Sequence, residues 1–136
     1  MGPFTINLPI PEPLVWKNQN SITTVTRSQG LPITWSGADS SDIRITGYSF
    51  TGLTSASPFG AAFYCTAKGS DHQFTVPSIV LLSLPPSESA AGTGVTTPTG
   101  SLSVGSSTPL QSFTATGLDK GFVLSSVYIG QSVTYQ

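Results

Sequence analysis

The sequence contains very few charged residues. Asp, Glu, Lys and Arg make up 8% of its 136 residues, whereas soluble domains contain about 25%. The five cations and the formal net charge of −1 do not provide the basic stripe by which proteins displace counterions from nucleic-acid phosphates. We therefore expect no nucleic acid among its partners, and no attachment to an anionic membrane surface.

Cysteine and long apolar runs are also scarce. A single cysteine, Cys65, excludes an intramolecular disulfide. The longest apolar stretch, residues 79–84, is closed by two prolines and is far shorter than the roughly 20 residues of a membrane-spanning helix, so we expect no membrane insertion. The first residues lack the basic and apolar regions of a signal peptide. The composition, with 21 Ser and 18 Thr, nevertheless favours an extracellular or cell-surface location.

Helical patterns are nearly absent, and patterns typical of strands occur throughout. Gly or Pro interrupts almost every window in which apolar residues recur at helical spacing. Many short strands separated by turn residues are typical of an all-β antiparallel β-sandwich. We expect one such domain over residues 1–136, immunoglobulin-like or jelly-roll-like. The predicted strands are 4–8, 14–16, 21–26, 33–36, 42–50, 61–67, 73–76, 101–104, 112–116 and 121–135, with a possible break at Gly130, and 80–84 is a strand or a buried turn.

Alternation within these strands predicts which side chains face the core. Ile43 and Ile45 alternate with Arg44 and Thr46, and Gly47 indicates a bulge or bend. On the 61–67 strand, residues 63 and 65 share one face, and residues 64, 66 and 68 share the other. The expected core contains Trp35, Ile43, Ile45, Phe63, Cys65, Phe74, Val76, Leu82, Leu102, Phe113 and Val123.

Residues 87–100 have an unusual composition. They are rich in Ser, Thr and Gly, and Val95 is their single apolar residue larger than alanine. Such a segment buries too little surface to offset its loss of conformational entropy. We expect a flexible loop within one domain. A linker between two domains is the alternative, but residues 102–136 alone are too few to form a core.

The residue types that carry catalysis do not form a recognisable set. Cys65 is two residues from Phe63 and therefore points to the same face of the strand. This indicates a core position rather than a reactive thiolate. His72 follows Asp71 in a turn, and the sequence has no strained Gly-x-Ser-x-Gly elbow. We therefore expect no catalytic residues, no enzyme activity and no cofactor.

Two carboxylates, Asp39 and Asp42, are close in sequence. Carboxylate and carbonyl oxygens are the ligands that calcium prefers, so this loop is a candidate calcium site. The alternative is a turn stabilised by aspartate side chains, which leads into the strand at Ile43.

Aromatic side chains are the candidates for a binding surface. Trp16, Tyr48, Tyr64 and Tyr128 could form a platform on which sugar rings stack. The alternative is core packing, in which Trp and Tyr keep one polar edge near water. Tyr48 and Tyr64 have the parity of outward-facing residues, whereas Trp35 is better explained as core.

Several segments resemble a C-terminal region of large secreted or surface proteins of acidobacteria. The segments that carry the resemblance are 14–19, 24–31, 33–37, 74–77, 81–85, 100–105 and 113–119. The resemblance implies an extracellular location. That family has no assigned activity, so the resemblance implies no particular reaction. Trp35 followed by Phe63-Tyr64-Cys65 also resembles immunoglobulin domains, although Val25 stands where the partner cysteine of that family would be.

These observations lead to three functional hypotheses. The first is a non-catalytic extracellular structural or adhesion module of a bacterial surface protein, whose partner would be a glycan or another surface protein. The second is a carbohydrate-binding module that uses exposed aromatics. The third is a self-assembling subunit, a homo-oligomer formed through edge strands, with residues 4–8 exchanged between copies.

Overall fold

Strands with alternating apolar and polar residues make up most of the structure. The computed structural model describes residues 2–91 and 96–136, and it is 53% strand and 8% helix. Over these residues no helix is long and apolar enough to cross a membrane. The strands are β1 (Leu14–Trp16), β2 (Thr24–Val25), β3 (Leu31–Gly37), β4 (Asp42–Thr51), β5 (Phe59–Lys68), β6 (Gln73–Val76), β7 (Ser89–Ala91), β8 (Thr96–Pro98), β9 (Gly100–Ser107), β10 (Gln111–Ala115), β11 (Leu118–Val123) and β12 (Ser126–Tyr135).

Two main sheets organise the fold. The larger has the order β2-β12-β9-β4-β5, and the smaller has the order β1-β3-β6. The β12–β2 pair is parallel and the remaining pairs of both sheets are antiparallel. A curled, half-barrel sheet is present, and the prediction of an all-β, sandwich-like fold is confirmed. Two separate hairpins, β7–β8 and β10–β11, complete the strand pairing.

The core lies where the apolar faces of the two main sheets meet. β3 contributes Ile33 and Trp35, β4 contributes Ile43 and Ile45, and each of these side chains is at most 1% exposed. Burying such side chains is the main favourable term in folding. The predicted core positions Trp35, Ile43, Ile45, Phe63, Val76 and Leu102 are confirmed as buried.

The other predicted core residues are less buried than expected. Cys65 and Phe74 are partly buried and pack against the core. Leu82 is 52% exposed, because residues 78–81 form a short helix, α1 (Ser78–Leu81), and not a strand. Leu81 at the end of the helix and Leu84 in the turn after it are buried, which agrees with the alternative of a buried turn at residues 80–84. Phe113 and Val123 are partly buried in the β10–β11 hairpin, outside the main core cluster.

The predicted strand at residues 4–8 is wrong. This segment, which lies between Pro3 and Pro9, forms no strand. It lies instead along the β10–β11 hairpin. The Gly2 N–H donates to the Thr116 carbonyl at 2.8 Å, and the Phe4 ring stacks on Phe113 with centroids 4.6 Å apart.

Two further predictions of backbone irregularity are corrected. The strand predicted at 121–135 is interrupted at residues 124–125, and Gly130 lies inside β12. Gly47 makes no bulge, because it pairs in unbroken register with Phe63 and Leu102. A side chain at Gly47 would collide with the Phe63 ring and the Tyr135 hydroxyl, which explains the glycine.

The predicted strand 21–26 is reduced to β2, preceded by a 3₁₀ turn at Gln19–Ser21.

The segment predicted as a loop, residues 87–100, contains the β7–β8 hairpin. Its residues 92–95 lie outside the described residues, and its flexibility stays a prediction. The base of the hairpin is held by Glu88. The carboxylate of Glu88 accepts hydrogen bonds from the Thr51 hydroxyl and from the N–H groups of Gly52 and Leu53, at 2.7–3.1 Å.

These hydrogen bonds predict a pH dependence of stability. Because they favour the ionised carboxylate, the pKa of Glu88 lies below its ordinary value of 4.5. A group with a lowered pKa in the folded state stabilises the fold at higher pH, and this contribution is lost as the pH falls through the folded-state pKa. We expect the melting temperature to decrease as the pH is lowered from 4.5. This decrease should be less steep in Glu88→Gln.

The control is Asp119→Asn, which removes a carboxylate that makes no hydrogen bond within the described structure. It should keep the wild-type pH dependence. Thermal unfolding followed by circular dichroism from neutral to acidic pH measures both variants. Parallel curves for the native chain and Glu88→Gln would contradict the role given to Glu88.

Candidate functional site

The outer face of the five-stranded sheet carries a set of tyrosines, hydroxyl groups and cations. Alternation places Arg44, Thr46 and Tyr48 outward on β4, opposite to Ile43 and Ile45, which are buried. The register then fixes their neighbours. Thr46 pairs with Tyr64 on β5. Arg44 pairs with Gly105 on β9, and Gly105 pairs in turn with Tyr128 on β12.

Three of the four predicted aromatic residues lie exposed on this one face. Tyr64 is 55% exposed, and Tyr48 and Tyr128 are each 46% exposed. The Phe50 ring meets Tyr48 edge-on, with centroids 5.5 Å apart. Since β5 and β12 are three strands apart in the sheet order, Tyr64 and Tyr128 are separated laterally by about 14 Å at the usual strand spacing. We call this surface the tyrosine face.

Arg44 lies between the tyrosines. Its guanidinium Cζ is 5.9 Å from the centroid of the Tyr64 ring, a cation–π contact. On its other side the Tyr128 ring covers Gly105, where any side chain would collide with that ring. A guanidinium stacked on an aromatic ring keeps its N–H edge free for a planar acceptor such as a carboxylate. Within the described residues Arg44 has no carboxylate partner.

An open groove of about 400 Å³ lies next to Arg44 at the end of the tyrosine face. Lys68 and Asp42 form an ion pair across it, with Nζ and Oδ1 2.7 Å apart. The carboxylate of Asp42 holds the pKa of Lys68 above its ordinary value. The four charged side chains of the groove, Asp42, Asp71, Arg44 and Lys68, balance in sign. Arg44 is the cation among them that makes no ion pair within the described residues. The groove is lined by Asp42, Arg44, Tyr64, Thr66, Lys68 and Asp71, among others.

Trp16, the fourth aromatic candidate, belongs to the core. It is 4% exposed and pairs with Trp35 across β1 and β3. Its indole N–H donates to the Asn18 side chain at 3.0 Å. The prediction that Trp16 takes part in an exposed platform is therefore wrong. The strand β1 has three residues, so its alternation is too short to assign a face from sequence.

The candidate calcium ligands, Asp39 and Asp42, face different side chains. Asp42 pairs with Lys68, whereas Asp39 lies 3.7 Å from His72 Nε2. Over residues 2–91 and 96–136 no group of three or more His, Cys, Asp or Glu side chains could hold a metal ion. The turn is closed by the Ser41 N–H, which donates to the Ala38 carbonyl at 2.9 Å. A calcium site here stays a prediction.

The groups with nucleophilic or acid–base chemistry occupy separate environments. Burial raises the pKa of the Cys65 thiol, which faces the core side of β5 opposite Ile45. The exposed His72 lies in the turn after Gly69–Asp71. Burial also raises the pKa of Tyr135, whose hydroxyl donates to the Ser101 carbonyl at 2.9 Å. None of these contacts joins a nucleophile to a base.

Arg44, Thr66 and Lys68 were not among the site residues predicted from sequence. The signal for them was present, because alternation had already placed all three on the outward faces of their strands. What the sequence could not supply was the strand order that sets β5 and β9 on either side of β4.

We compared the chain with models of protein families, with curated proteins and with solved structures. None of them matched. The resemblance to surface proteins of acidobacteria therefore stays a prediction.

Proposed function

We propose that this chain is a non-catalytic extracellular adhesion module that binds carbohydrate on the tyrosine face. The observation that carries the proposal is the exposure of Tyr48, Tyr64 and Tyr128 on one face of one sheet, with Arg44 between them. Aromatic rings offer apolar surfaces to the C–H groups of sugars, and their hydroxyl groups stay in water. Large exposed aromatics on an otherwise polar surface are typical of binding sites.

The neighbouring side chains favour a polar ligand over an apolar one. Ser101 and Ser103 on β9 and Thr46 on β4 surround the rings, as their register shows. Hydroxyl groups donate and accept hydrogen bonds without a net charge, which suits the many hydroxyls of a glycan. The shallow, open shape of the face suits a polysaccharide chain rather than a small molecule, for which enclosed pockets are usual.

Arg44 adds a preference for glycans that carry carboxylates. Its N–H groups can form two parallel hydrogen bonds with a uronate carboxylate, which are stronger than bonds between neutral partners. We therefore propose that the ligand contains uronic acid units. Part of its affinity is then electrostatic, and it should fall as the salt concentration rises.

Homogalacturonan tests this proposal, because its carboxylates can be present free or as methyl esters on the same sugar backbone. Affinity electrophoresis and calorimetry with the two forms should show tighter binding of the free acid. Tyr64→Ala and Tyr48→Ala should each weaken binding of both forms by about 3- to 10-fold, as expected for the loss of one aromatic contact. Arg44→Gln should weaken binding of the free acid by about 10-fold and leave the ester unchanged.

Val15→Ala is the matched control. Val15 is 59% exposed on β1, which belongs to the other sheet, so the variant should bind as the native chain does. Equal affinity of the native chain for acid and ester would overturn the uronate preference alone. No binding to these or to neutral polysaccharides, or binding that survives both tyrosine substitutions, would overturn the carbohydrate function.

A further inference from the structure

β5 is a long edge strand, and over residues 59–67 its outer backbone groups have no hydrogen-bond partner among the residues that the structure describes. It is the last strand of the five-stranded sheet, and all ten of its residues pair with β4 on one side. On its other side, residues 59–67 make no backbone hydrogen bond to any part of the chain that the structure describes. An unpaired edge of this length is a template for another strand.

The edge also lacks the features by which proteins usually protect such strands. Residues 59–67 contain no charged residue and no proline, both of which oppose strand addition. The residues on the core side of β5 are incompletely covered. Ala61, Cys65 and Ala67 pack against the core but stay partly exposed, so an added strand would bury apolar surface.

The sequence of β5 is suited to pairing with itself. In an antiparallel pair, residues directly opposite each other point to the same face. If Tyr64 lies opposite Tyr64 of the second copy, Phe63 lies opposite Cys65 of the second copy on the core side. Lys68 then lies opposite Gly60, so no like charges meet. A symmetric pair of this kind generates a closed dimer with one twofold axis.

We propose that two copies of this chain associate through antiparallel pairing of their β5 strands, which joins the two five-stranded sheets into one. The proposal does not depend on carbohydrate binding. It differs from an exchange of residues 4–8 between copies, since that segment forms no strand. The dimer would place the two tyrosine faces side by side, with the Tyr64 residues at its centre.

Two double variants test both the association and the register. In the symmetric register Ala62 lies opposite Thr66 of the second copy, and both side chains are exposed on the outer face. Ala62→Glu with Thr66→Glu places like charges opposite each other, whereas Ala62→Lys with Thr66→Glu places opposite charges there. Both variants carry Thr66→Glu, so they differ only in the residue at position 62. Sedimentation velocity over a concentration series reports their masses, and circular dichroism checks that both are folded.

We expect the native chain and the Lys/Glu variant to form dimers, and the Glu/Glu variant to remain monomeric. Higher salt should reduce the difference between the two variants, since it screens exposed charges. A native chain that is monomeric at its highest soluble concentration would overturn the proposal. Equal association of the two double variants would overturn it as well.

Discussion

Trp35→Ala should lower the free energy of unfolding by about 3–5 kcal/mol, the range for truncating a buried tryptophan. The side chain is 1% exposed and lies in the middle strand of the three-stranded sheet, opposite Trp16. Its indole N–H donates to the Gly69 carbonyl at 2.8 Å, so it also anchors the turn that follows β5. Urea denaturation followed by fluorescence and circular dichroism measures the change.

Two further variants make this result interpretable. Trp35→Phe keeps most of the ring but removes the N–H donor, and should lower stability less than the alanine variant. It provides a measurement if Trp35→Ala does not fold. Val15→Ala, on the exposed side of the neighbouring strand, should change stability by at most about 0.5 kcal/mol. A loss below about 1.5 kcal/mol for Trp35→Ala would mean that the core can close around the missing ring.

Gly69→Ala should destabilise the fold by about 3 kcal/mol, at the upper end of the usual range for overpacking. A methyl group at Gly69 would collide with the carbonyl group of Ala38 and would meet the Ser41 carbonyl oxygen at 3.0 Å. These are backbone atoms, so they cannot move aside by a simple rotation. The Gly69 N–H donates to the Ser41 carbonyl at 2.9 Å, and this bond would be strained or lost.

Gly130→Ala is the matched glycine control. There the closest atom to an added methyl group is the Ser103 hydroxyl oxygen, at 2.7 Å. This hydroxyl can rotate away, so we expect a small change in the melting temperature. Similar losses in the two alanine variants would show that the collision at Gly69 is relieved by movement of the chain.

The sequence predicted the faces of the long strands well, because alternation is a local property. Ile43 and Ile45 face inward and Arg44 outward, as their spacing indicates. The outward parity of Tyr48 and Tyr64 is confirmed by their exposure. Both strands are ten residues long, so the pattern repeats often enough to be decisive.

Short elements and strand order could not be predicted in the same way. The helical turn at Ser78–Leu81 has too few residues for its period to differ clearly from that of a strand. Trp16 is buried by its pairing with β3, a contact between elements that are separated in the chain. The position of Arg44 between Tyr64 and Tyr128 likewise depends on β9 lying between β4 and β12.

The parallel contact between β2 and β12 has a consequence for how the protein folds in the cell. It pairs Thr24 with Thr134 and Val25 with Tyr135, and Val133 and Tyr135 are fully buried. The edge and part of the core therefore cannot form until β12 has left the ribosome. We expect folding to be slow and to be completed only after that point, since contacts between distant residues are made late. Until then the emerging chain would expose the apolar face of β4 to chaperones and to other nascent chains.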